Sequence, residues 1–159
     1  MVSTRPPPPP ILLIVLVGLG ILIGLFLSPP ALVPWPLNLI GLFPLAGGIL
    51  LLKSSFDLFG RSNTSPDPES VPKALITEGP YRWVRNPIYI GFGLIQLGLA
   101  ILFASVAILS LLPVYLLSVH IGFVLREERV LEEQFSEEYQ AYRKTVPRWL
   151  PRRPSRQDS

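Results

Sequence analysis

Apolar and polar positions along this chain fall into long blocks instead of alternating. No Asp, Glu, Lys or Arg occurs in residues 11–52 or in residues 86–124, where His120 is the one titratable side chain apart from tyrosines. Residues 11–27 form an apolar run of about 17 residues, the lower limit for a helix crossing a hydrocarbon layer of about 30 Å. The prolines at 6–10 are expected to stop that helix from extending towards the N-terminus. A second span is predicted from about Leu37 to Leu52, or to Phe59 if its end lies in the interface. Residues 61–72, rich in Ser, Pro, Asp and Asn, read as an irregular loop. Residues 87–125 are apolar for about 39 positions, twice what one crossing needs, so the segment must turn. The expected bend is at Ala104-Ser105, with Pro113 as the alternative.

Beyond Arg126 the chain becomes amphipathic as far as residue 146, and a basic, proline-broken tail covers 147–159. The predicted fold is therefore all-α: an integral membrane bundle of about four transmembrane helices with a C-terminal amphipathic cytoplasmic helix. Its divisions are a proline-rich tail (1–10), helices one and two (11–59), a loop (60–86), helices three and four (87–125), the amphipathic helix (126–146) and the basic tail. Arg5, Lys53, Arg61, Lys73, Arg82, Arg85 and the tail are basic, whereas the connections near 28–36 and 104–112 hold no Lys or Arg. Four crossings with both termini cytoplasmic satisfy the positive-inside rule at every connection. A cleaved leader is the rival reading of residues 11–27, but Ser28-Pro29-Pro30-Ala31 is a poor cleavage site and a retained helix is expected.

With 159 residues the chain holds one domain at most. The absence of cysteine excludes disulfides, iron–sulfur clusters and thiol catalysis, and the single histidine argues against zinc. The net charge of +3 sits in loops and tail, where topology explains it better than nucleic acid does. The run Gly18-Leu19-Gly20-Ile21-Leu22-Ile23-Gly24 has a faint likeness to a dinucleotide-binding turn, but no strand precedes it and it lies mid-membrane. Gly20 and Gly24, like Gly91, Gly93 and Gly98, are expected to serve close helix packing. His120 is read as a packing residue.

Two polar clusters remain. Tyr81, Arg82, Trp83, Arg85 and Asn86 stand before the third span, and Arg126, Glu127, Glu128 and Arg129 at the exit of the fourth. Aromatic belt and interfacial anchors would account for the first cluster on their own. Asn86-Pro87, however, opens a span with a side chain able to cap free amides, and a helix start flanked by arginines suits a carboxylate or phosphate. At about 100° per residue, His120, Val124, Glu128, Leu131, Phe135, Tyr139 and Tyr142 share one stripe. Glu132, Glu133 and Glu137 point elsewhere and read as solvated. Glu128 is thereby placed among apolar neighbours at a membrane boundary, where a carboxylate tends to be paired or functional.

The ordered set Gly-Pro-Tyr-Arg-x-x-Arg-Asn-Pro-x-Tyr (79–89), Glu-Glu-x-x-Leu (127–131), Phe-Ser-Glu-Glu-Tyr-x-x-Tyr (135–142) and Val-Pro-Arg (146–148) resembles the isoprenylcysteine carboxyl methyltransferase family, itself related to the membrane phospholipid methyltransferases. The likeness covers about half the chain, residues 73–151. It implies a membrane methyltransferase that uses S-adenosylmethionine without a soluble Rossmann domain. It further implies a cofactor pocket lined by Lys73, Ala74, Leu75, Ile76 and Tyr81 and completed by Asn86, Pro87, Ile88, Tyr89 and a glutamate of the Glu127-Glu128 pair, Glu128 being favoured by the stripe. Arg85, Asn86 and Glu128 are the residues expected at the chemistry. A lipid-like or prenylated acceptor would come from the bilayer and the cofactor from the cytoplasm. The family usually has histidine where Asn86 stands, and often where Lys73 stands; asparagine still donates and accepts hydrogen bonds but takes up no proton.

The residue types suit that chemistry. Arg85 and the amides at the Asn86 helix start match a carboxylate. Glu128 matches an ammonium or ribose hydroxyls, and Tyr81 or Tyr89 a sulfonium. A scarcity of bases favours an acceptor that is already nucleophilic, such as a carboxylate. Phospholipid N-methylation is the alternative within the chemistry, and a non-enzymatic membrane scaffold with a decayed site is the alternative outside it.

Overall fold

The structure, a computed structural model, describes residues 7–27, 31–62, 64 and 72–150. The irregular loop expected at 61–72 and the last part of the basic tail fall mostly outside them. Helix α1 is Pro9–Leu27; a 3₁₀ turn at Leu37–Gly41 leads into α2, Leu42–Arg61. A second 3₁₀ turn, Gly79–Arg82, precedes α3, Pro87–Leu102. Then come α4 (Val106–Ser110), α5 (Leu112–Val119), a π turn at His120–Val124 and α6 (Leu125–Thr145). No strand occurs among the described residues.

Three helical stretches, Pro9–Leu27, Leu37–Arg61 and Val106–Thr145, are long and apolar enough to cross a membrane; Pro87–Leu102 is a shorter apolar helix. The described residues form an all-helical membrane bundle of these three stretches and the shorter helix. At 16 residues α3 is about 24 Å long, a little less than the hydrocarbon layer. Exposed Trp83 before it and exposed Phe103 after it are suited to the interfaces it approaches.

The reversal between the third and fourth segments falls where expected. Ala104 takes a positive φ of 48°, and the Ser105 side chain accepts a hydrogen bond from the Ile108 amide at 3.2 Å, capping α4. Pro113 does not turn the chain; it occupies the first turn of α5, where its missing amide hydrogen costs nothing. The same reasoning corrects the N-terminal boundary. The prolines do not hold the helix back to Ile11, because Pro9 and Pro10 themselves form its first turn.

Close backbone approach holds α2 and the 3₁₀ turn before it on α3. A Cβ on Gly41 would meet the Gly98 carbonyl at 2.6 Å, and one on Gly48 would meet the Gly91 carbonyl at 2.5 Å. Gly20 likewise lies against Ile108, whereas Gly24 and Gly93 have ordinary room, so packing explains three of the five glycines singled out. Helix α1 packs on α3, α4 and α5, burying Leu12, Leu13 and Leu16 with Tyr115, Val119 and Val124.

The two connections without basic residues meet at one end of the bundle, where the Leu32 amide donates to the Ala104 carbonyl at 2.7 Å. At the other end the amphipathic helix is not a separate element: the π turn joins it to the last apolar segment. Helix α6 then kinks at Ser136, whose φ of 33° and ψ of −104° are not helical. Past the kink, Tyr139 and Tyr142 turn inwards with Leu75, Leu131 and Phe135 around them. Residues 146–149 do not continue outwards as a tail. They fold back on the start of α3, where the Arg85 amide donates to the Pro147 carbonyl at 2.9 Å.

Candidate functional site

A cavity of about 300 Å³ opens at this second end, between the start of α1, the end of α2, the start of α3 and both halves of α6. Its walls divide by chemistry. Arg85, Asn86, Glu127, Glu128, Tyr139 and Tyr142 supply polar atoms, whereas Phe56, Phe59, Phe92, Ile88, Val130 and Leu131 supply hydrocarbon. Pro8, Pro9 and Pro10 close the remaining side.

The approach to α3 explains which loop residues reach the cavity. Residues 72–78 run without helical structure, and alternate side chains of an extended segment face opposite ways. Pro72, Ala74 and Ile76 accordingly line the cavity. Lys73 is exposed and Leu75 packs against Tyr139 and Tyr142, so neither belongs to the lining as expected. Pro87 is also no part of it, being buried in the first turn of α3. Tyr81, Ile88 and Tyr89 do line it, with Arg85, Asn86 and both glutamates.

The adjacent glutamates have different partners. Glu128, 8% exposed, is clasped by two guanidinium groups. Arg85 Nη1 donates to Oε1 at 2.8 Å, and Arg148 donates through Nε to Oε1 at 2.8 Å and through Nη2 to Oε2 at 2.6 Å. Arg85 also donates to the Tyr139 hydroxyl at 3.0 Å and through Nε to the Val146 carbonyl at 3.1 Å. The Tyr142 hydroxyl donates to the Tyr81 carbonyl at 2.7 Å, tying the second half of α6 to the turn before α3. Hydrogen bonding to Glu128 raises the Arg148 pKa further above its usual value. The carboxylate on the buried stripe is therefore paired, and its lone pairs are largely committed.

Glu127 is different. It accepts the Tyr89 hydroxyl, faces the cavity and has no ion pair among the described residues. The apolar part of the last segment ends at Leu125, so Glu127 lies just beyond the span. Burial raises its carboxyl above the usual carboxylate range, the Tyr89 hydroxyl opposes that rise and the Glu128 charge adds to it. Burial, with Glu127 as a second cause, also raises the Tyr81 phenol.

Asn86 does not cap α3 with its side chain. Its Nδ2 donates instead to the Arg148 carbonyl at 3.3 Å, because residues 146–149 take the place a capped turn would leave to solvent. Arg148, noted only as part of a motif, is thus a main organiser of this end. His120 does not line the cavity; its ring packs at 5.9 Å from that of Trp149, consistent with the packing role expected of it. Of the solvated acids, Glu133 and Glu137 are exposed, and Glu132 has a 3.5 Å contact with Arg143.

The lipid-embedded helices, the polar end and the ordered motifs on its walls coincide with a match over residues 37–138 to a family model described as phospholipid methyltransferase. The chain belongs to the phospholipid methyltransferase family. Among relatives of this family member, a protein-S-isoprenylcysteine O-methyltransferase of Schizosaccharomyces pombe is 34% identical over 77 residues, 48% of this chain and 33% of the relative. A protein of the same name from Xenopus laevis is 30% identical over 128 residues, 72% of this chain and 41% of the relative. The chain thus aligns with less than half the length of these relatives. The matched region contains α2, α3 and the part of α6 that carries Glu127, Glu128, Val130 and Leu131, but not α1, Tyr139, Tyr142 or residues 146–149.

Proposed function

We propose that this chain is a membrane-embedded methyltransferase that uses S-adenosylmethionine and acts on a lipid-like or prenylated acid. The observation that carries the reading is the divided cavity: one polar side with a carboxylate, Glu127, that has no ion pair among the described residues, and one hydrocarbon side. When bound, S-adenosylmethionine supplies an electrophilic methyl group on a sulfonium sulfur. Arg85 keeps its Nη2 uncommitted among the described residues, and this nitrogen is suited to the carboxylate of the cofactor's amino-acid end. Glu127, rather than Glu128, is the carboxylate suited to its ammonium or ribose hydroxyls. Tyr81 and Tyr89 border the same space and suit a sulfonium; the Tyr81 ring is steadied edge-on by Phe59 at 6.0 Å.

With Glu127 given to the cofactor, no other uncommitted base lines the cavity among the described residues. An ionised carboxylate needs none, and positioning it in line with the methyl group is the main catalytic task. Phospholipid N-methylation is the second reading, favoured by the family description. Headgroup analysis after overexpression separates the two. The positive-inside pattern supports a cavity facing the cytoplasm with both termini on that side.

Calorimetry in detergent with S-adenosylhomocysteine tests the reading. Micromolar binding that weakens in Arg85→Ala and Glu127→Ala is expected. A well-folded protein that binds none sinks it and leaves a membrane scaffold. If Asn86 marks a weakened version of the family site, Asn86→His tightens this binding or raises turnover of a prenylcysteine analogue; no change points to an acceptor for which asparagine is suited.

A further inference from the structure

A helix start usually offers unpaired amide hydrogens, and these attract anions. The start of α1 borders the cavity and offers none from residues 8–10, because all three are prolines. What it presents is the hydrocarbon of three pyrrolidine rings. These rings have almost no rotamer freedom, so they form a wall of fixed position rather than one that re-packs around its occupant. Phe56 and Phe59 at the end of α2 border the same cavity and are apolar too. The polar atoms come from α6 and the segment leading into α3.

We infer that Pro8, Pro9 and Pro10 form the acceptor-tail wall of the cavity and set which tail widths fit. The inference rests on the methyltransferase reading and deepens it. A polar cofactor belongs with Arg85, Asn86 and Glu127, which leaves the proline and phenylalanine sides for the hydrocarbon of the acceptor. Helix α1 lies outside residues 37–138, the part of the chain that matches the family model. An unbranched tail passes such a fixed wall more readily than a methyl-branched prenyl tail of equal length, and replacing the rings removes that bias. The acceptors fitted are amphiphilic acids whose tail must clear the wall.

Two measurements on the full chain in detergent, saturated with S-adenosylhomocysteine, test this. The first is photo-crosslinking by a thioether carboxylic acid with a diazirine near the end of its tail, competed with the unlabelled acid. Competed adducts on residues 8–10 and on Phe56 or Phe59 are expected. Competed adducts elsewhere, or none, overturn the inference. The second compares Pro8→Ala/Pro10→Ala with the unmodified protein on S-geranyl and S-octyl thioether acids, whose tails have the same backbone length, by competition against the photoprobe. The branched-to-unbranched affinity ratio is expected to rise by about tenfold, the lower end of what one small apolar group supplies in a pocket. Homocysteine-analogue affinity should stay within about twofold, since this wall is not its site. An unchanged ratio overturns the inference. Should the double variant misfold, Pro8→Phe, which adds bulk ahead of the helix, is expected to lower the same ratio, and no change there is equally decisive. If the unmodified protein binds no S-adenosylhomocysteine, it is the methyltransferase reading that fails, a result distinct from these.

Discussion

Glu127 and Glu128 are neighbours in sequence at the boundary between membrane and polar surface, yet their surroundings differ. Glu128 meets two arginines, drawn from the loop before α3 and from the segment after α6. Glu127 meets a phenol and an open cavity. The first carboxylate closes the structure on itself, and the second is available to a ligand. Helical geometry separates adjacent residues by about 100°, enough to send one carboxylate to the two arginines and the other to the Tyr89 hydroxyl, although both border the cavity. A motif containing both therefore combines two jobs, and substitution should separate them.

The largest effect is expected from Glu128→Ala. Removing the shared anion leaves two guanidinium groups uncompensated, Arg85 at 9% side-chain exposure and Arg148 at 29%. Breaking a buried pair by deleting one partner costs about 3–5 kcal/mol, and the more exposed Arg148 brings the expectation to the lower end. Thermal unfolding in detergent should show a lowered midpoint, with ligand binding lost as a consequence. A protein of normal stability that fails only in binding would reverse the assignment of clasp and ligand group.

Glu127→Gln comes next. The fold should be retained, because no ion pair of Glu127 is seen among the described residues, while S-adenosylhomocysteine affinity falls. A hydrogen bond to a charged group is worth about 1.5–3 kcal/mol, so calorimetry should read a loss of about 10- to 150-fold. Unaltered affinity would remove Glu127 from the cofactor's surroundings.

Much of this arrangement is legible in the chain because bilayers impose coarse rules. Charge-free blocks mark the spans, the turn at Ala104-Ser105 follows from their length, and the stripe on α6 follows from its period. The cavity's apolar half is not legible in the same way. Phe56 and Phe59 read as ordinary membrane residues, since nothing in a pattern of apolar positions distinguishes lipid contact from cavity contact. Pro8, Pro9 and Pro10 read as a helix stop, although proline is tolerated in a first turn and theirs is a wall. Arg148 was hidden by distance: its partners lie 20 and 62 residues away, and only tertiary folding brings them within hydrogen-bonding range. The clasp also shows what the stripe on α6 singles out. Burial identified a carboxylate that must have a partner, and the protein itself supplies that partner.

Titration distinguishes the two glutamates without changing the clasp. Burial raises the Glu127 carboxyl in the folded protein above its ordinary value of 4.5. Its contribution to stability is therefore fully present below about 4.5 and is lost as pH rises through the elevated folded value. Ligand binding should run the other way, since an ammonium or ribose hydroxyl is held best by the ionised form. Across that interval the unfolding midpoint should show a downward contribution as S-adenosylhomocysteine affinity climbs, and Glu127→Gln should flatten both. If the slopes persist in Glu127→Gln, another group titrates there.

The smallest effect is expected from Tyr89→Phe, and it sharpens the comparison furthest. The substitution keeps the ring that packs in the α1–α3–α5 core and removes only the hydroxyl that Glu127 accepts. Losing one donor changes the balance by about 1 kcal/mol, which corresponds to about fivefold in affinity. The direction carries the information. The hydroxyl both orients the carboxylate and lowers its pKa, so its loss should weaken S-adenosylhomocysteine binding and move the binding curve to higher pH. Were Glu127 a second structural clasp, the same change would lower the unfolding midpoint and leave the pH dependence of binding in place. A double-mutant cycle with Glu127→Gln completes the test: if the phenol acts through the carboxylate, the second substitution should add almost nothing to the first.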